Sequence, residues 1–570
     1  MRILLLTHAF NSLTQRLYVE LLRCGHVLSV EFDVNDAVTE EAVALFRPQL
    51  VIAPFLKRAI PESVWRNTLC WIVHPGPRGD RGPSALDWAI LDGETHWGVT
   101  LLQAEAEMDA GPVWATREFP LRAAAKGSLY RREVTDAAVA CVLEALERLA
   151  DPGFRPEPLA ENPGRGRLRP AMRQADRTID WSRDDTASVL RKIRSADGVP
   201  GLRDRIEGRE LYLYDAHPEG TLTGTPGGMI AHDGHAICRA TLDGAVWIGH
   251  MRERGEDLPH DLAGLKLPAV QVLGDVLRGV PERSGDRREI RYEEVDGVGW
   301  LYFDFYNGAM SSERCRRLLA AWREALRRDT RVLVLAGGGD FWSNGLHLHV
   351  IESNADPAEA SWDNIQAMDD LCETIIETRD RLTVAAMSGN AGAGGVFLAL
   401  AADLVWAAPG VVLNPHYKNM GNLYGSEYWT YLLPRRVGDQ TGDIMANRLP
   451  LGAPEARAAG LIDDCFGADR DDFLHQAQER AAALVQDPDY AARLADKRAR
   501  RERDERERPL ARYREDELSH MQLNFYGFDP SYHVARYNFV YRVAHSRTPL
   551  HLALHRRKGW RPPDDEVAVS

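Results

Sequence analysis

The sequence predicts a multidomain α/β protein: an open parallel sheet first, then a small OB-like β-barrel, then a second α/β unit with glycine-rich loops. Three observations carry this. At 570 residues the chain is too long for one hydrophobic core, and two to four domains are expected. Apolar runs alternate with amphipathic stretches through residues 1–150, the order of a βαβα sheet. Junctions at 151–170 and 270–286 then separate two further patterns, one of short strands with Gly/Pro turns and one of strands, helices and glycine-rich loops.

Arg2–Thr7 is a short apolar run and makes a buried strand. Ser12–Arg23 is amphipathic and stops at Gly25, a helix terminator. Val27–Phe32 is the next strand, residues 40–46 a helix, and 50–53 a strand ending in Pro54. Residues 69–73 form another buried strand that runs into His74-Pro75-Gly76. Open parallel sheets bind ligands at the carboxyl ends of their strands, which is where His74 falls. A helix over 84–91 follows the Gly/Pro-rich loop 75–83, and its first turn is available to an anionic group.

Residues 151–170 hold five prolines and serve as a linker. Thr178-Ile179-Asp180-Trp181 opens a smaller unit, with a helix at Thr186–Ser195 and strands at 209–214, 236–240 and 245–250. From Ile290 the pattern is two strands (291–294 and Val298–Phe303), a helix over 311–328 and a strand over 332–336. Residues 493–518 are dense in both charge signs, which predicts a solvated or interface helix. There is no internal repeat.

The balance of 70 basic against 84 acidic residues gives a net charge of −14, so broad nucleic-acid binding is not expected. Seven scattered cysteines contain no CxxC pair, which points to reduced thiols in a cytoplasm and to no metal site. Only four apolar residues follow Met1-Arg2, and no run of 18 apolar residues exists. Neither a signal peptide nor a membrane association is expected.

Two constellations carry chemistry. Trp71-Ile72-Val73-His74-Pro75-Gly76 is followed by Trp97-Gly98-Val99-Thr100 and Met108-Asp109-Ala110-Gly111. A histidine at a strand end can stabilise an oxyanion or shuttle a proton, and a nearby carboxylate orients it. His74 and Asp109 are the candidates. Far downstream, Phe341-Trp342-Ser343-Asn344-Gly345-Leu346 and Ser388-Gly389-Asn390-Ala391-Gly392-Ala393-Gly394-Gly395 precede an apolar helix over 396–402. Glycines allow close backbone approach, and the helix N-terminus favours developing negative charge.

The first constellation resembles the 10-formyltetrahydrofolate-dependent formyltransferases, including the methionyl-tRNA formyltransferases. Cys24-Gly25-His26, Arg81-Gly82, Trp88-Ala89-Ile90-Leu91 and Ile179-Asp180-Trp181 add to the likeness. The resemblance implies that His74 and Asp109 are two members of an Asn-His-Asp catalytic set. The third position is Ile72, which cannot polarise a formyl carbonyl, so an acceptor other than an amine is expected. It also implies cofactor-binding positions at Gly82, Asp87 and Gly111.

The second constellation resembles the enoyl-CoA hydratase (crotonase) fold, supported by Asp403-Leu404-Val405 and Arg435-Arg436-Val437-Gly438. It implies an oxyanion hole from the N–H groups of Leu346 and Gly394. The two hydratase glutamates fall on Phe397 and His416, so hydration is not expected. The stretch 415–428 supplies other proton-moving groups: Glu427 as base, with Tyr417, Tyr424 or His416 as acid.

The fusion resembles a family of hydrogenase maturation proteins. The expected divisions are 1–170 (formyltransferase-type Rossmann-like sheet, folate-binding), 171–270 (OB-like barrel), 271–286 (linker), 287–545 (crotonase-like, with charged C-terminal helices) and 546–570 (tail). The resemblance implies carbon monoxide synthesis, in which formyl passes from 10-formyltetrahydrofolate to coenzyme A and the formyl-CoA is decarbonylated. Arg131 and the turn 192–195, with Arg194 and Ser195, are the candidate cations and hydroxyl for coenzyme A. The expected partners are small-molecule substrates and hydrogenase maturation proteins. A formyl-CoA hydrolase, an amine formyltransferase and a non-catalytic scaffold are the competing readings.

Overall fold

The computed structural model describes residues 1–159, 164–254 and 264–562. Residues 160–163 of the expected linker, 255–263 of the expected barrel division and 563–570 of the expected tail lie outside them. The chain forms two compact units. The first comprises Met1–Arg254, Pro268–Gly285 and the C-terminal stretch from Ala544, and the second centres on Asp286–Val543. Among the described residues no helix is long and apolar enough to cross a membrane.

The first unit opens with a six-stranded sheet of β1 (Arg2–Thr7), β2 (Val27–Phe32), β3 (Leu50–Phe55), β4 (Cys70–His74), β5 (His96–Gln103) and β6 (Val113–Pro120), in the order β2-β1-β3-β4-β5-β6. β1 to β4 are parallel, as the alternation of strand and helix signals requires. β5 and β6 run antiparallel, so the sheet is mixed rather than wholly parallel. The short link between β5 and β6 holds Asp109 in a left-handed conformation (φ +54), and a connection of that length can only return the chain antiparallel. Leu4, Leu6, Phe46, Val51 and Ala53 fill the core on one face. The helix expected over 40–46 begins earlier, at Asp36, because the Asn35 side chain accepts the Val38 N–H and caps it.

β2 is an edge strand, and the C-terminal stretch covers it. The Val30 N–H donates to the Leu552 carbonyl (3.1 Å) and the Phe32 N–H to Thr548 Oγ1 (2.7 Å). Trp560 stacks on Phe46 with ring centroids 5.2 Å apart. Residues 546–562, expected as a tail, therefore satisfy an otherwise open strand edge.

The same unit contains the small barrel. Its strands β7 (Leu202–Ile206), β8 (Arg209–Glu219), β9 (Met229–His232), β10 (Ile237–Ala240) and β11 (Ala245–Glu253) are antiparallel in the order β7-β8-β11-β10-β9. Val189 and Ile193 of the helix Thr186–Ser195 pack into it beside Leu213 and Val246. Ala269, Leu273 and Leu277 belong to that core too, so the expected linker 271–286 begins as packed structure.

In the second unit, strands Val298–Phe303, Val332–Gly337, Leu382–Met387 and Leu404–Ala407 run parallel in that order. Ile290–Val295 pairs antiparallel at one edge and Asp464–Cys465 parallel at the other. A smaller sheet of Phe341–Ser343, Asn390–Gly392, Val412–Asn414 and Leu451–Gly452 carries the glycine-rich loops. The charge-dense stretch 493–518 is two helices, Tyr490–Glu507 and Leu510–Tyr526. Pro509 divides them, since it lacks an N–H and restricts the residue before it. Nor is the stretch merely solvated: Lys497, Arg501, Asp504 and Glu517 are buried, and Lys497 Nζ lies 2.5 Å from Asp403 Oδ2.

Candidate active site

In the first unit His74 is the last residue of β4, with its ring 4% exposed between two carboxylates. Its Nε2–H donates to Asp80 Oδ2 at 2.9 Å, and Nδ1 lies 3.5 Å from Asp109 Oδ2. Asp109 is held in turn by the Gly82 N–H, 3.1 Å from Oδ2. Glycine is required around this pair. A Cβ on Gly76 would stand 2.5 Å from Asp80 Oδ2 and 2.6 Å from His74 Nε2. A Cβ on Gly82 (φ +111) would meet the Arg169 carbonyl oxygen at 2.2 Å, and one on Gly111 the Gln103 carbonyl oxygen at 2.0 Å. The glycines thus let the loops close on the histidine rather than contact it themselves.

Ile72 shares the His74 face of β4, because side chains two apart in a strand point the same way. The polar groups that meet at His74 come instead from Asp80 and Asp109. Asp80 is buried, and its Oδ1 has no hydrogen-bond partner among the described residues. Asp80 falls in the Gly/Pro-rich loop 75–83, where its only sequence signal is a carboxylate six residues after the histidine.

The other expected positions of this unit are placed less centrally. Asp87 is held by two cations, Lys126 Nζ at 2.9 Å and Arg177 Nη1 at 3.2 Å. Arg131 lies in a π-helical turn, Tyr130–Val134, with Nη1 3.2 Å from where a Gly127 Cβ would be; Asp197 Oδ2 is equally near that point. Arg194 donates to the carbonyls of Ala216 (3.3 Å) and Ala123 (3.2 Å). The Ser195 hydroxyl turns into its own helix, donating to the Lys192 carbonyl at 2.9 Å.

In the second unit Gly394 is the first residue of the buried helix Gly394–Leu400, so its N–H has no intrahelical acceptor. The loop bearing Leu346 lies against it: a Cβ on Gly345 (φ +74) would stand 3.6 Å from the Gly394 nitrogen. Ala393, just before the helix, is held at φ +49. Glu427 is 2% exposed and its carboxylate lies over Gly394. Tyr417 OH donates to Glu427 Oε2 at 2.5 Å and reaches the Ser426 carbonyl at 2.9 Å. The Tyr417 ring stacks on Phe397 (centroids 5.5 Å, 13°), so the phenylalanine expected at the first hydratase-glutamate position orients the phenol. Burial pushes the Glu427 carboxyl up to about 7, against the lowering pull of Tyr417 and Ser426. Burial, then the charge of Glu427, raises the Tyr417 hydroxyl.

Of the other residues expected in this cluster, His416 is buried one position before Tyr417. Tyr424 stacks on His520 (centroids 4.1 Å, 12°), and its N–H donates to Asn524 Oδ1 at 2.9 Å. Two residues the sequence reading missed are Asp369, whose Oδ1 accepts the Glu427 N–H at 2.8 Å, and Glu517, whose Oε2 accepts the Tyr428 N–H at 2.9 Å. Asp369 sits unmarked within a long helix, and Glu517 lies in the stretch expected to be a solvated or interface helix. A buried carboxylate poised near neutrality, with a phenol upon it and a helix N-terminus beside it, can take and return a proton next to a stabilised carbonyl.

These two sites define the class: a formyltransferase-type unit joined to a crotonase-type unit. The formyl transferase C-terminal domain family matches residues 171–259, and the enoyl-CoA hydratase/isomerase family matches residues 306–525. Over 560 residues the chain is 56% identical to the hydrogenase maturation factor HoxX of Bradyrhizobium diazoefficiens, covering 98% of this chain and 97% of that protein. The crystal structure of HypX from Aquifex aeolicus in complex with tetrahydrofolic acid matches with a TM-score of 0.94 at 50% identity, over 98% and 99% of the two chains. A methionyl-tRNA formyltransferase of Dechloromonas aromatica is 29% identical over 45% of this chain and 78% of its own length. The chain belongs to the HypX/HoxX family of hydrogenase maturation factors.

Proposed function

We propose that this chain makes carbon monoxide for hydrogenase maturation: the first unit moves the formyl group of 10-formyltetrahydrofolate to the thiol of coenzyme A, and the second splits formyl-CoA into CO and CoA. The observation that carries this reading is the Glu427 carboxylate, buried, near neutrality and lying over Gly394 where both hydratase glutamates are absent. A formyl thioester has no α-carbon, so a site for it needs no enolate machinery. It needs a base for the formyl C–H and a proton for the leaving sulfur.

Glu427 takes the formyl proton, the C–S electron pair goes to sulfur, and CO leaves. The Tyr417 hydroxyl gives its proton to the thiolate and recovers one from Glu427, so nothing is consumed. The thioester oxygen rests between the N–H groups of Leu346 and Gly394. In the first unit, His74 handles the proton between the acceptor thiol and the leaving folate amine, with Asp109 and Asp80 orienting the ring. A thiolate is a better nucleophile than an amine, which fits the apolar Ile72 at the third family position. The tetrahydrofolic acid in the Aquifex aeolicus HypX complex supports folate as the donor. Arg131 and Arg194 are the proposed contacts for coenzyme A, the cytoplasm the proposed compartment, and hydrogenase maturation proteins the proposed partners.

The test is incubation of the protein with 10-formyltetrahydrofolate and coenzyme A, with CO trapped by deoxyhaemoglobin. CO that is lost in His74→Ala and in Glu427→Ala supports the reading. Tetrahydrofolate and formate without CO mean a hydrolase, and no folate turnover means a scaffold.

A further inference from the structure

Glu427 and Tyr428 are consecutive residues with left-handed backbone, φ +62 and +59. Side-chain-bearing residues other than Asn and Asp rarely adopt that conformation, and two in a row must be held by their surroundings. Asp369, from the helix Pro357–Ile376, accepts the Glu427 N–H. Glu517, from the helix Leu510–Tyr526, accepts the Tyr428 N–H (2.9 Å), the Thr430 N–H (2.8 Å) and the Thr430 hydroxyl. Tyr428 precedes the helix Trp429–Val437 and its side chain caps nothing, so Glu517 caps that helix from outside.

This leaves three carboxylates buried together, with Glu427 at 2%, Asp369 at 1% and Glu517 at 0% exposure. Arg514 is the nearby cation, its Nε 3.8 Å from Asp369 Oδ2, and it also serves Asp370 and Glu373. Asp369 Oδ2 has no hydrogen-bond partner among the described residues. Packing alone would not keep so many acids in an apolar core, because each is costly to desolvate.

We propose that Asp369 and Glu517 are positioning residues for Glu427: they pin the two left-handed residues from two neighbouring helices and so hold the Glu427 carboxylate over Gly394, where a substrate proton is taken. The proposal deepens the decarbonylase reading and rests on it for the identity of that proton. The groups facing Glu427 are Tyr417 and Ser426 from its own loop, Cys315 from the helix Ser312–Ala325, Cys372 and Asp369 from Pro357–Ile376, and Glu517 and Arg514 from Leu510–Tyr526. Burial raises Asp369 well above its ordinary value and Glu517 to about 8, and the charge of Glu427 adds to both. Glu427, at about 7, ionises below Glu517, at about 8, so its neighbour is still a neutral acid when Glu427 gives up its proton.

The experiment supplies formyl-CoA directly to the full-length protein and to Asp369→Ala, Asp369→Asn and Glu517→Gln. Steady-state CO release is measured against pH. A carboxyl infrared band, assigned by its loss in Glu427→Gln, is titrated in parallel. Asp369→Ala is expected to lower kcat on the order of tenfold to a hundredfold with little change in KM, as misplacement of a catalytic group does. Asp369→Asn, which keeps a backbone acceptor, is expected to recover much of that rate and to return the Glu427 band towards its parental midpoint, which Asp369→Ala displaces along with the carboxylate. Glu517→Gln, which leaves one acceptor oxygen for the Tyr428 and Thr430 N–H groups in place of two, is expected to lower kcat and to displace the band as well. Folded variants with unchanged kcat and an unchanged band midpoint would overturn the positioning role. If the band shifts but the unsubstituted protein yields formate instead of CO, the positioning stands and the decarbonylase reading fails.

Discussion

The Glu427 carboxylate occupies the space that a side chain on Gly394 would need: a Cβ there would stand 2.4 Å from Oε1 and 2.5 Å from the carboxyl carbon. The glycine at the helix N-terminus and the acid over it are one device. Gly394→Ala is therefore expected to displace Glu427 without disturbing the rest of the helix, which is apolar from Val396 to Leu400. CO release from supplied formyl-CoA should fall on the order of a hundredfold. Formyl transfer from folate, measured as tetrahydrofolate production, should stay within about twofold of the unsubstituted rate because the transfer is proposed to use His74.

The pH behaviour follows from the same burial. Glu427 is raised from 4.5 to about 7 and Glu517 to about 8, so the folded protein binds protons that the unfolded chain has already released. A raised acid contributes stability below pH 4.5, and the contribution is lost as pH rises through the folded values near 7 and 8. Activity runs the other way, since only ionised Glu427 accepts a proton. The kcat for CO release is expected to climb through pH 7 while resistance to urea declines. Glu427→Gln should abolish the first trend and raise stability at pH 8 by about 1–3 kcal/mol. A Glu427→Gln protein no more stable than its parent at pH 8 would contradict the burial argument.

His74 lies between Asp80 and Asp109, and the two carboxylates are not equivalent. Asp80 is at hydrogen-bond distance (2.9 Å) and Asp109 at 3.5 Å, with Asp109 itself tied to the Gly82 N–H. His74→Ala is expected to lower folate turnover on the order of a thousandfold. Asp80→Asn and Asp109→Asn should each fall between that and the parent rate. All three should still release CO from formyl-CoA at the parent rate, which a coupled assay with each substrate separates.

Much of this was legible in the sequence. Strand ends and glycine-rich loops follow local rules, so β4 with His74 and the Gly345 and Gly394 loops fall where their spacing puts them. What stayed hidden depends on contacts between distant segments. Nothing local distinguishes Asp369 from the other acids of its helix. Glu517 sits among charges that mostly do face solvent, and its burial becomes visible only when the helix Leu510–Tyr526 packs against Thr430. The antiparallel pair β5 and β6 has no local mark, because the link 104–112 between its strands lacks a two-residue hairpin-turn signal. The C-terminal stretch escaped because its partner, β2, lies more than 500 residues away.

That last contact is a tightly satisfied polar cluster, and it makes a sharp prediction. Glu31 and His555 are both fully buried, with His555 Nε2 2.9 Å from Glu31 Oε2 and Ser29 Oγ 2.6 Å from His555 Nδ1. Thr548 and Arg556 also donate to Glu31. Burial works to raise the Glu31 carboxyl, but the bonds from His555, Thr548 and Arg556 outweigh it and the net shift is downward. Its stabilising contribution is therefore present above the ordinary value of 4.5 and is lost as pH falls below it. His555→Ala leaves Glu31 and Ser29 buried with fewer partners and should cost the first unit about 3 kcal/mol. The loss should be local first. The Val30 and Phe32 amides, which bond to Leu552 and Thr548, should exchange with solvent faster in the variant, while amides of the central strand β3 keep their protection. Equal acceleration in β2 and β3 would mean that the C-terminal stretch supports the whole sheet rather than sealing its edge.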